Sequence, residues 1–149
     1  METKIEKVFV DRGFGFPVHL LNVPMVHVRG TWTPKIDYNA LAKGVLHALA
    51  HKPSYLTGSE IHFIRLHFDL PLQQFAKRFA VSHPAVMKWE RAKSRPTKMN
   101  WTTEKDIRLF ILSKLEVAAS EFADLYGELQ APAKSRLTPL QVNGPQIAA

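Results

Sequence analysis

The sequence predicts a mainly α-helical protein in which a small N-terminal α+β module, made of short antiparallel strands plus a helix, precedes a helical domain. Three observations predict this organisation. Short apolar segments broken by Gly and Pro fill the start of the chain, apolar residues recur at helical spacing through residues 37–129, and that spacing is then lost. The predicted divisions are the module at 1–53, the helical domain at 54–129 and a flexible tail at 130–149.

The N-terminal module is predicted to contain a small antiparallel sheet. Its strand candidates are three short apolar segments separated by turn-forming residues. They are Lys7–Val10, Val18–Leu20 and Met25–Arg29. A helix follows the sheet, because Asp37 is a suitable N-cap and Pro53 ends the helical pattern.

Capping residues mark the later helices. Thr57 and Glu60 have the spacing of a capping box. Ser82 can cap another helix further along. An apolar stripe then runs to Leu129, on one long helix or on two helices broken near Ser113.

The composition excludes several functional classes. The absence of cysteine excludes disulfides, thiolate zinc sites and cysteine nucleophiles. No apolar run reaches the roughly 18 residues of a membrane helix, and the first residues lack a secretory signal, so a cytoplasmic protein without membrane contact is expected. No Ser/His/Asp set, carboxylate pair or phosphate-cradling loop indicates an enzyme, so neither catalytic residues nor a cofactor are expected.

His47 and His51 have the spacing of a metal-ligand pair on a helix. That spacing permits zinc binding, as it also permits two unrelated histidines. Ala48 stands where a His-Glu-x-x-His motif has its glutamate. No metal site is therefore expected.

The positive charge of the chain is concentrated in one segment. Lys and Arg outnumber Asp and Glu by 20 to 13, a net charge of +7. Between Lys77 and Lys98, seven basic residues accompany Glu90 alone, so this segment carries +6 of that charge. Such a run can be a solvated face or the surface that meets an anionic partner.

The same region has the pattern of a helix-turn-helix. Residues 70–95 read LPLQQFAKRFAVSHPAVMKWERAKSR. The motif needs a small residue where its helices cross and an apolar residue after the turn, and Ala76 and Val81 meet these needs. It also needs two apolar anchors three residues apart in the second helix, which Val86 and Trp89 supply. The outer face of the second helix is then free to reach base edges in a major groove.

Nine residues are the predicted DNA contacts. They lie on or beside the second helix, apart from one in the first helix: Gln73, Ser82, His83, Met87, Lys88, Arg91, Lys93, Arg95 and Lys98. Lys88, Arg91 and His83 are expected to discriminate bases. The basic residues beyond the helix are expected to meet the phosphate backbone, and Ser82 is a cap whether or not it also contacts a phosphate.

The segment FAKRFAVSHPAVMKWE resembles the Cro/repressor-type helix-turn-helix of the XRE family, including the Trp-Glu pair that closes its recognition helix. The resemblance implies a five-helix, lambda-repressor-like DNA-binding domain. Two positions depart from the family pattern. Ala80 replaces the usual turn glycine, and Leu72 replaces a glutamine that commonly contacts a phosphate, although Gln73 is adjacent.

Motifs further upstream resemble the MqsA-like (HigA/MqsA) antitoxins of type II toxin–antitoxin systems. They are Gly15-Phe16-Pro17-Val18, Val23-Pro24-Met25, Asp37-Tyr38 and Leu56-Thr57-Gly58-x-Glu60-Ile61. The resemblance implies a repressor of its own operon that also binds a cognate toxin. Such relatives often carry a four-cysteine zinc site. This chain has no cysteine, so the module has to fold on its apolar core alone.

These features predict a homodimer on double-stranded DNA. Two recognition helices are expected to enter successive major grooves of a palindromic operator, about 34–36 Å apart. The apolar stripe that ends at Leu129 can pack in the core or form the dimer seam, and dimerisation is favoured because one helix-turn-helix reads too few bases for tight repression. The alternative to an antitoxin is a stand-alone XRE-family regulator with no toxin partner.

Overall fold

A computed structural model of the protein describes residues 2–134 and 139–149. The chain divides into two units, the sheet unit (Met1–Ala48 and Pro139–Ala149) and the helical unit (Leu49–Thr138). The strands are β1 (Thr3–Asp11), β2 (Val18–Val28), β3 (Thr31–Pro34) and β4 (Leu140–Asn143). The helices are α1 (Tyr38–Ala50), α2 (Gly58–His67), α3 (Leu72–Arg78), α4 (His83–Arg91), α5 (Trp101–Lys114) and α6 (Ala119–Glu128).

Strand β2 is the centre of the sheet. β1 pairs with it antiparallel along one side, with Thr3 opposite Val26 and Asp11 opposite Val18. On the other side, β3 pairs antiparallel with the end of β2 and β4 pairs parallel with its start. β1 is therefore an edge strand among the described residues.

One face of β2 packs in the core of the sheet unit. Its buried side chains are Val18, Leu20, Val23 and Met25. Their alternation shifts by one position at Asn22, whose φ of 52° is left-handed. The two strand segments predicted on either side of Asn22 thus belong to one continuous strand.

Helix α1 contributes to the same core. Leu41 and Val45 are fully buried. A Cβ atom on Gly44 would lie 3.1 Å from Cγ1 of Val142, so α1 lies close against β4. The Asp37 carboxylate accepts hydrogen bonds from two backbone N–H groups of the first turn, at 2.9 and 3.2 Å, which confirms the predicted N-cap.

Residues 139–149 form part of the sheet unit. The buried apolar side chains of this segment are Leu140, Val142 and Ile147. A Cβ atom on Gly144 would lie 2.5 Å from the Cα of Val23, so a larger residue would not fit there. The prediction of a flexible tail was therefore wrong for residues 139–149, and residues 135–138 of that prediction lie outside the described residues.

The predicted fold class was also wrong. The chain is not mainly α with a five-helix helix-turn-helix domain, because six helices and a four-stranded mixed sheet share the described residues. Two features account for the difference. β1 and β2 extend well beyond the short predicted segments, and β4 comes from sequence that was predicted to be flexible.

The helical unit contains α2 to α6. α5 and α6 are separate helices, and Glu116 between them has a left-handed φ of 54°. Most of the apolar stripe is buried in the core of this unit: Ile107, Phe110, Ile111, Leu125 and Leu129. These side chains are therefore not available as a dimer seam. None of the described helices has the length and apolar character needed to cross a membrane.

A buried ionic network joins the start of the helical unit to α2 and α5. Lys52 Nζ lies 2.7 and 2.9 Å from the two carboxylate oxygens of Glu60. Glu104 Oε2 accepts two hydrogen bonds from Arg108. The four residues are at most 5% exposed. Glu60 also completes the capping box with Thr57, as the sequence predicts.

Arg108 also donates hydrogen bonds to backbone carbonyls around the end of α1. Its acceptors are the carbonyl oxygens of Ala50 (3.4 Å), Lys52 and Ser54 (2.6 Å). One side chain thus satisfies the last carbonyl of α1 and two carbonyls of the segment that follows it. Burial raises the pKa of Glu104, although the charge and hydrogen bonds of Arg108 oppose that rise.

Candidate nucleic-acid interface

The predicted helix-turn-helix residues form two helices joined by a short turn. α3 ends at Arg78 and α4 begins at His83. The buried anchors of this pair are Phe75, Ala76, Val86 and Trp89. Because both anchors of α4 are buried, the helix is held through its inner side and its other side is left to solvent.

The turn has the hydrogen bonds of a Schellman motif. Val81 donates its N–H to the Ala76 carbonyl at 3.0 Å, and Ala80 donates its N–H to the Lys77 carbonyl at 3.3 Å. Ala80 has a φ of 57°, in the left-handed region that glycine adopts without strain. The turn therefore keeps its glycine-type conformation although alanine occupies the position.

Ala80→Gly is expected to stabilise the protein by about 0.5–1 kcal/mol. Glycine removes the left-handed penalty of alanine, and its greater freedom in the unfolded chain offsets part of the gain. Urea unfolding measures the change. A matched control is Ala123→Gly on the exposed side of α6, where the same substitution is expected to destabilise by about the same amount. Destabilisation by both substitutions would contradict the left-handed assignment.

The start of α4 is capped as predicted. Ser82 Oγ accepts the Ala85 N–H at 3.3 Å. Pro84 lies in the first turn, where its missing N–H costs no helical hydrogen bond. His83, the first residue of the helix, is exposed.

Eight of the nine predicted DNA contacts are exposed. They are Gln73 on α3, Ser82 and His83 at the start of α4, Lys88 and Arg91 further along α4, and Lys93, Arg95 and Lys98 in the loop after it. Met87 is the exception, because it is half-buried. The eight exposed side chains are available to a partner.

Four of these cations surround one concave pocket of about 420 Å³, called here the basic pocket. Lys88 and Arg91 come from α4, and Arg95 and Lys98 come from the loop after it. Three uncharged residues complete its lining: Ala92, Pro96 and Thr97. Since no acidic residue is among the described residues that line it, the basic pocket has the charge and the multiple donors that suit a phosphate group.

The loop that supplies two of the four cations of the basic pocket is fixed by the first turn of α2. Gly58 donates its N–H to the Arg95 carbonyl at 3.2 Å, and Ser59 donates to the Lys93 carbonyl at 2.9 Å. A helix start leaves such N–H groups without partners inside the helix. Here they bind the loop backbone and set the position of its cations.

The start of α2 approaches the end of α4 too closely for a side chain at Gly58. A Cβ atom there would lie 2.3 Å from the Trp89 carbonyl oxygen and 2.6 Å from the Lys93 backbone nitrogen. Both neighbours are backbone atoms, which cannot rotate aside. Glycine at position 58 thus allows the contact that orders the loop.

Glu90, the one acidic residue in the basic segment, is bound by α2. Its carboxylate accepts hydrogen bonds from Arg65 Nε (2.7 Å) and Nη2 (3.0 Å) and lies 2.6 Å from His62 Nδ1. Burial favours the neutral carboxyl, but the hydrogen bonds and charges of Arg65 and His62 outweigh burial and lower the pKa of Glu90. The charge of this carboxylate is balanced by Arg65 within the cluster, so Glu90 does not offset the positive charge around the basic pocket.

No protein-family model, curated protein or solved structure matches the chain. The likeness to XRE proteins and to antitoxins therefore depends on the motifs quoted above alone.

Sequence reasoning identified the cations of the interface but missed what holds them in place. The structure brings four of the nine predicted residues together in one lining. The only sign of the close approach at Gly58 in the sequence is a glycine directly after the capping threonine. Nothing in the sequence indicates the role of Arg108, because an arginine on a helix is usually a surface residue.

Proposed function

We propose that the protein is a sequence-specific DNA-binding transcriptional repressor that acts in the cytoplasm. The observation that carries the proposal is the arrangement of Lys88, Arg91, Arg95 and Lys98 around one pocket. Two of these cations lie on α4 itself, a capped and anchored helix whose other side is exposed. A short helix with these properties is what enters the major groove in helix-turn-helix proteins.

In the proposed complex, α4 lies in the major groove with His83 at its leading end. Lys88 and Arg91 donate hydrogen bonds to base edges, where the O6 and N7 atoms of guanine are the usual acceptors for such side chains. Arg95 and Lys98, the loop cations of the basic pocket, bind phosphates of the DNA backbone and fix the depth and register of α4. Because phosphate binding releases counterions, affinity decreases steeply with salt concentration.

The proposal includes a homodimer on a palindromic operator, with half-sites about 34–36 Å apart. One α4 presents too few base-reading side chains for tight specific binding, and a second copy doubles them. The burial of Ile107, Phe110 and Leu125 removes most of the apolar stripe as the dimer surface. The surface that joins the two copies therefore lies elsewhere.

We extend the proposal to an antitoxin of a type II toxin–antitoxin pair. Its support is the resemblance of the upstream motifs, which fall in the sheet unit and at the start of α2. Co-expression with the adjacent reading frame tests this extension. An antitoxin is expected to co-purify with that product and to relieve its toxicity. A harmless neighbour that does not co-purify would leave a stand-alone regulator.

Substitution of two basic side chains tests the DNA-binding proposal. The full chain is expected to select a palindromic sequence from random duplex DNA. Lys88→Ala combined with Arg91→Ala is expected to weaken binding to that sequence about a hundredfold, because each lost base contact costs roughly 1–3 kcal/mol. Gel-shift titrations over a salt series measure both the affinity and its salt dependence.

The matched control removes the same charge elsewhere. Lys43→Ala combined with Lys114→Ala takes two exposed cations from α1 and α5, and is expected to change affinity less than about threefold. Equal losses of DNA affinity in the two double variants would show that the interaction is only non-specific electrostatic attraction. Selection of no sequence by the unaltered chain would contradict the proposal itself.

A further inference from the structure

β1 is a nine-residue edge strand with exposed apolar side chains. Ile5, Val8 and Val10 are 64%, 48% and 39% exposed. Their partners on β2 are Pro24, Leu21 and His19, none of which is buried in the core. Because residues directly opposite each other share a face, the three side chains lie on the sheet face away from the core. A long edge strand with solvated Val and Ile side chains is a typical site of pairing with another chain.

The backbone of Ile5 is directed to the outer edge of the sheet. The Glu2 carbonyl accepts the His27 N–H at 3.0 Å. In an antiparallel pair the N–H and C=O of one residue point to the same side of the strand, and that side alternates from residue to residue. The N–H and C=O groups of Glu2 and Lys4 therefore point to β2, and those of Thr3 and Ile5 point outwards. No strand of the described part of the chain pairs with this outer edge.

The charges on β1 are complementary to those of a second, antiparallel β1. Lys4 and Glu6 flank Ile5, lie 3.5 Å apart and have side chains that are 42% and 41% exposed. If two β1 strands pair with Ile5 opposite Ile5, Lys4 of each copy lies opposite Glu6 of the other. Pairing centred on Lys4 or on Glu6 would instead set two like charges opposite each other, which is destabilising.

We propose that β1 is the homodimer interface, and that two copies pair β1 to β1 antiparallel about Ile5. The two Ile5 residues exchange backbone hydrogen bonds, and their side chains meet on the exposed face of the extended sheet. Lys4 and Glu6 form two symmetric ion pairs across the axis. The same patch serves both copies, as a two-fold interface requires. This inference does not rest on DNA binding, although a palindromic operator needs such a dimer.

Charge exchange in the full chain tests this pairing. In a Lys4→Glu dimer, each new carboxylate lies opposite Glu6 of the other copy. In a Glu6→Lys dimer, each new ammonium lies opposite Lys4. Each single variant is expected to raise the dimer dissociation constant about tenfold, because two attractive pairs become repulsive. An equimolar mixture of the two variants is expected to recover the affinity of the unaltered chain, since opposite charges face each other again.

Sedimentation velocity over a concentration series, with one variant fluorescently labelled, measures these constants. Lys7→Glu is the matched control. Lys7 lies opposite Thr3 in the proposed register, so its substitution is expected to change the constant less than about threefold. Recovery in the mixture also shows that both single variants are folded. An unaltered chain that stays monomeric, single variants that dimerise as well as it does, or a mixture without recovery would each overturn the proposal.

Discussion

Arg108→Met is expected to destabilise the protein by about 3–5 kcal/mol, the cost of breaking a buried ion pair from one side. It removes the partner of Glu104, which is 1% exposed. It also leaves the carbonyl oxygens of Lys52 and Ser54 without their donor. Methionine retains much of the apolar volume of the side chain, so the loss reflects the interactions rather than a cavity. Urea unfolding measures it.

The destabilisation by Arg108→Met is expected to increase with pH. Burial already raises the pKa of Glu104, and loss of Arg108 raises it further. A carboxyl whose pKa is higher in the folded state favours folding below its unfolded pKa and loses that contribution as pH rises through the folded value. The free energy of unfolding of the variant is therefore expected to be lower than that of the unaltered chain at every pH. The difference is expected to be smallest near pH 4 and largest near pH 8. A difference independent of pH would contradict a buried unpaired carboxylate.

Arg78→Met is the matched control for this substitution. Arg78 lies 3.1 Å from Asp106 in an ion pair whose side chains are 44% and 45% exposed. An exposed pair contributes under about 1 kcal/mol, and its loss adds no buried charge. Equal losses for the two arginines would mean that burial of the Arg108 contacts does not matter.

Gly58→Ala is expected to destabilise the protein by about 3 kcal/mol and to weaken DNA binding. The added Cβ would lie 2.3 Å from the Trp89 carbonyl oxygen, so α2 and the end of α4 must separate. Their separation breaks the hydrogen bonds from Gly58 and Ser59 that fix the loop carrying Arg95. Urea unfolding measures the first effect. Gel shifts at a temperature where the variant remains folded measure the second.

Gly127→Ala in α6 is the control for the added methyl group. Nothing lies within 4 Å of a Cβ atom at Gly127, so this substitution is expected to stabilise the protein by about 0.5–1 kcal/mol through helix propensity. DNA affinity is expected to stay unchanged. If Gly58→Ala had the same effect on stability and DNA affinity as Gly127→Ala, the close approach of α2 to α4 would be contradicted.

The features that the sequence predicts correctly are those set by near neighbours in the chain. The caps at Asp37, Thr57 and Ser82 are confirmed, because each needs hydrogen bonds only to residues two or three positions later. The cations of the candidate site are found for a similar reason, since they are clustered in the sequence. Their contact with DNA stays a prediction.

The features that the sequence does not predict depend on distant contacts. β4 pairs with the start of β2, and its Gly and Pro neighbours gave only the local signal of a loop. Arg108 is buried because it meets carbonyls from the segment around Lys52, which no helical periodicity reveals. The same holds for the apolar stripe, where helical spacing predicts an apolar face but not whether that face covers the core or a partner.

The division of the sheet unit into two sequence segments has a consequence for biosynthesis. The helical unit is continuous in sequence. It is inserted into the sheet unit, after β3 and most of α1 and before β4. A ribosome therefore synthesises the whole helical unit before Leu140–Asn143, and domains generally fold in the order of their synthesis. Until then Val18–Leu21 of β2 has no β4 to pair with. The unit whose synthesis starts first is thus the last to be completed.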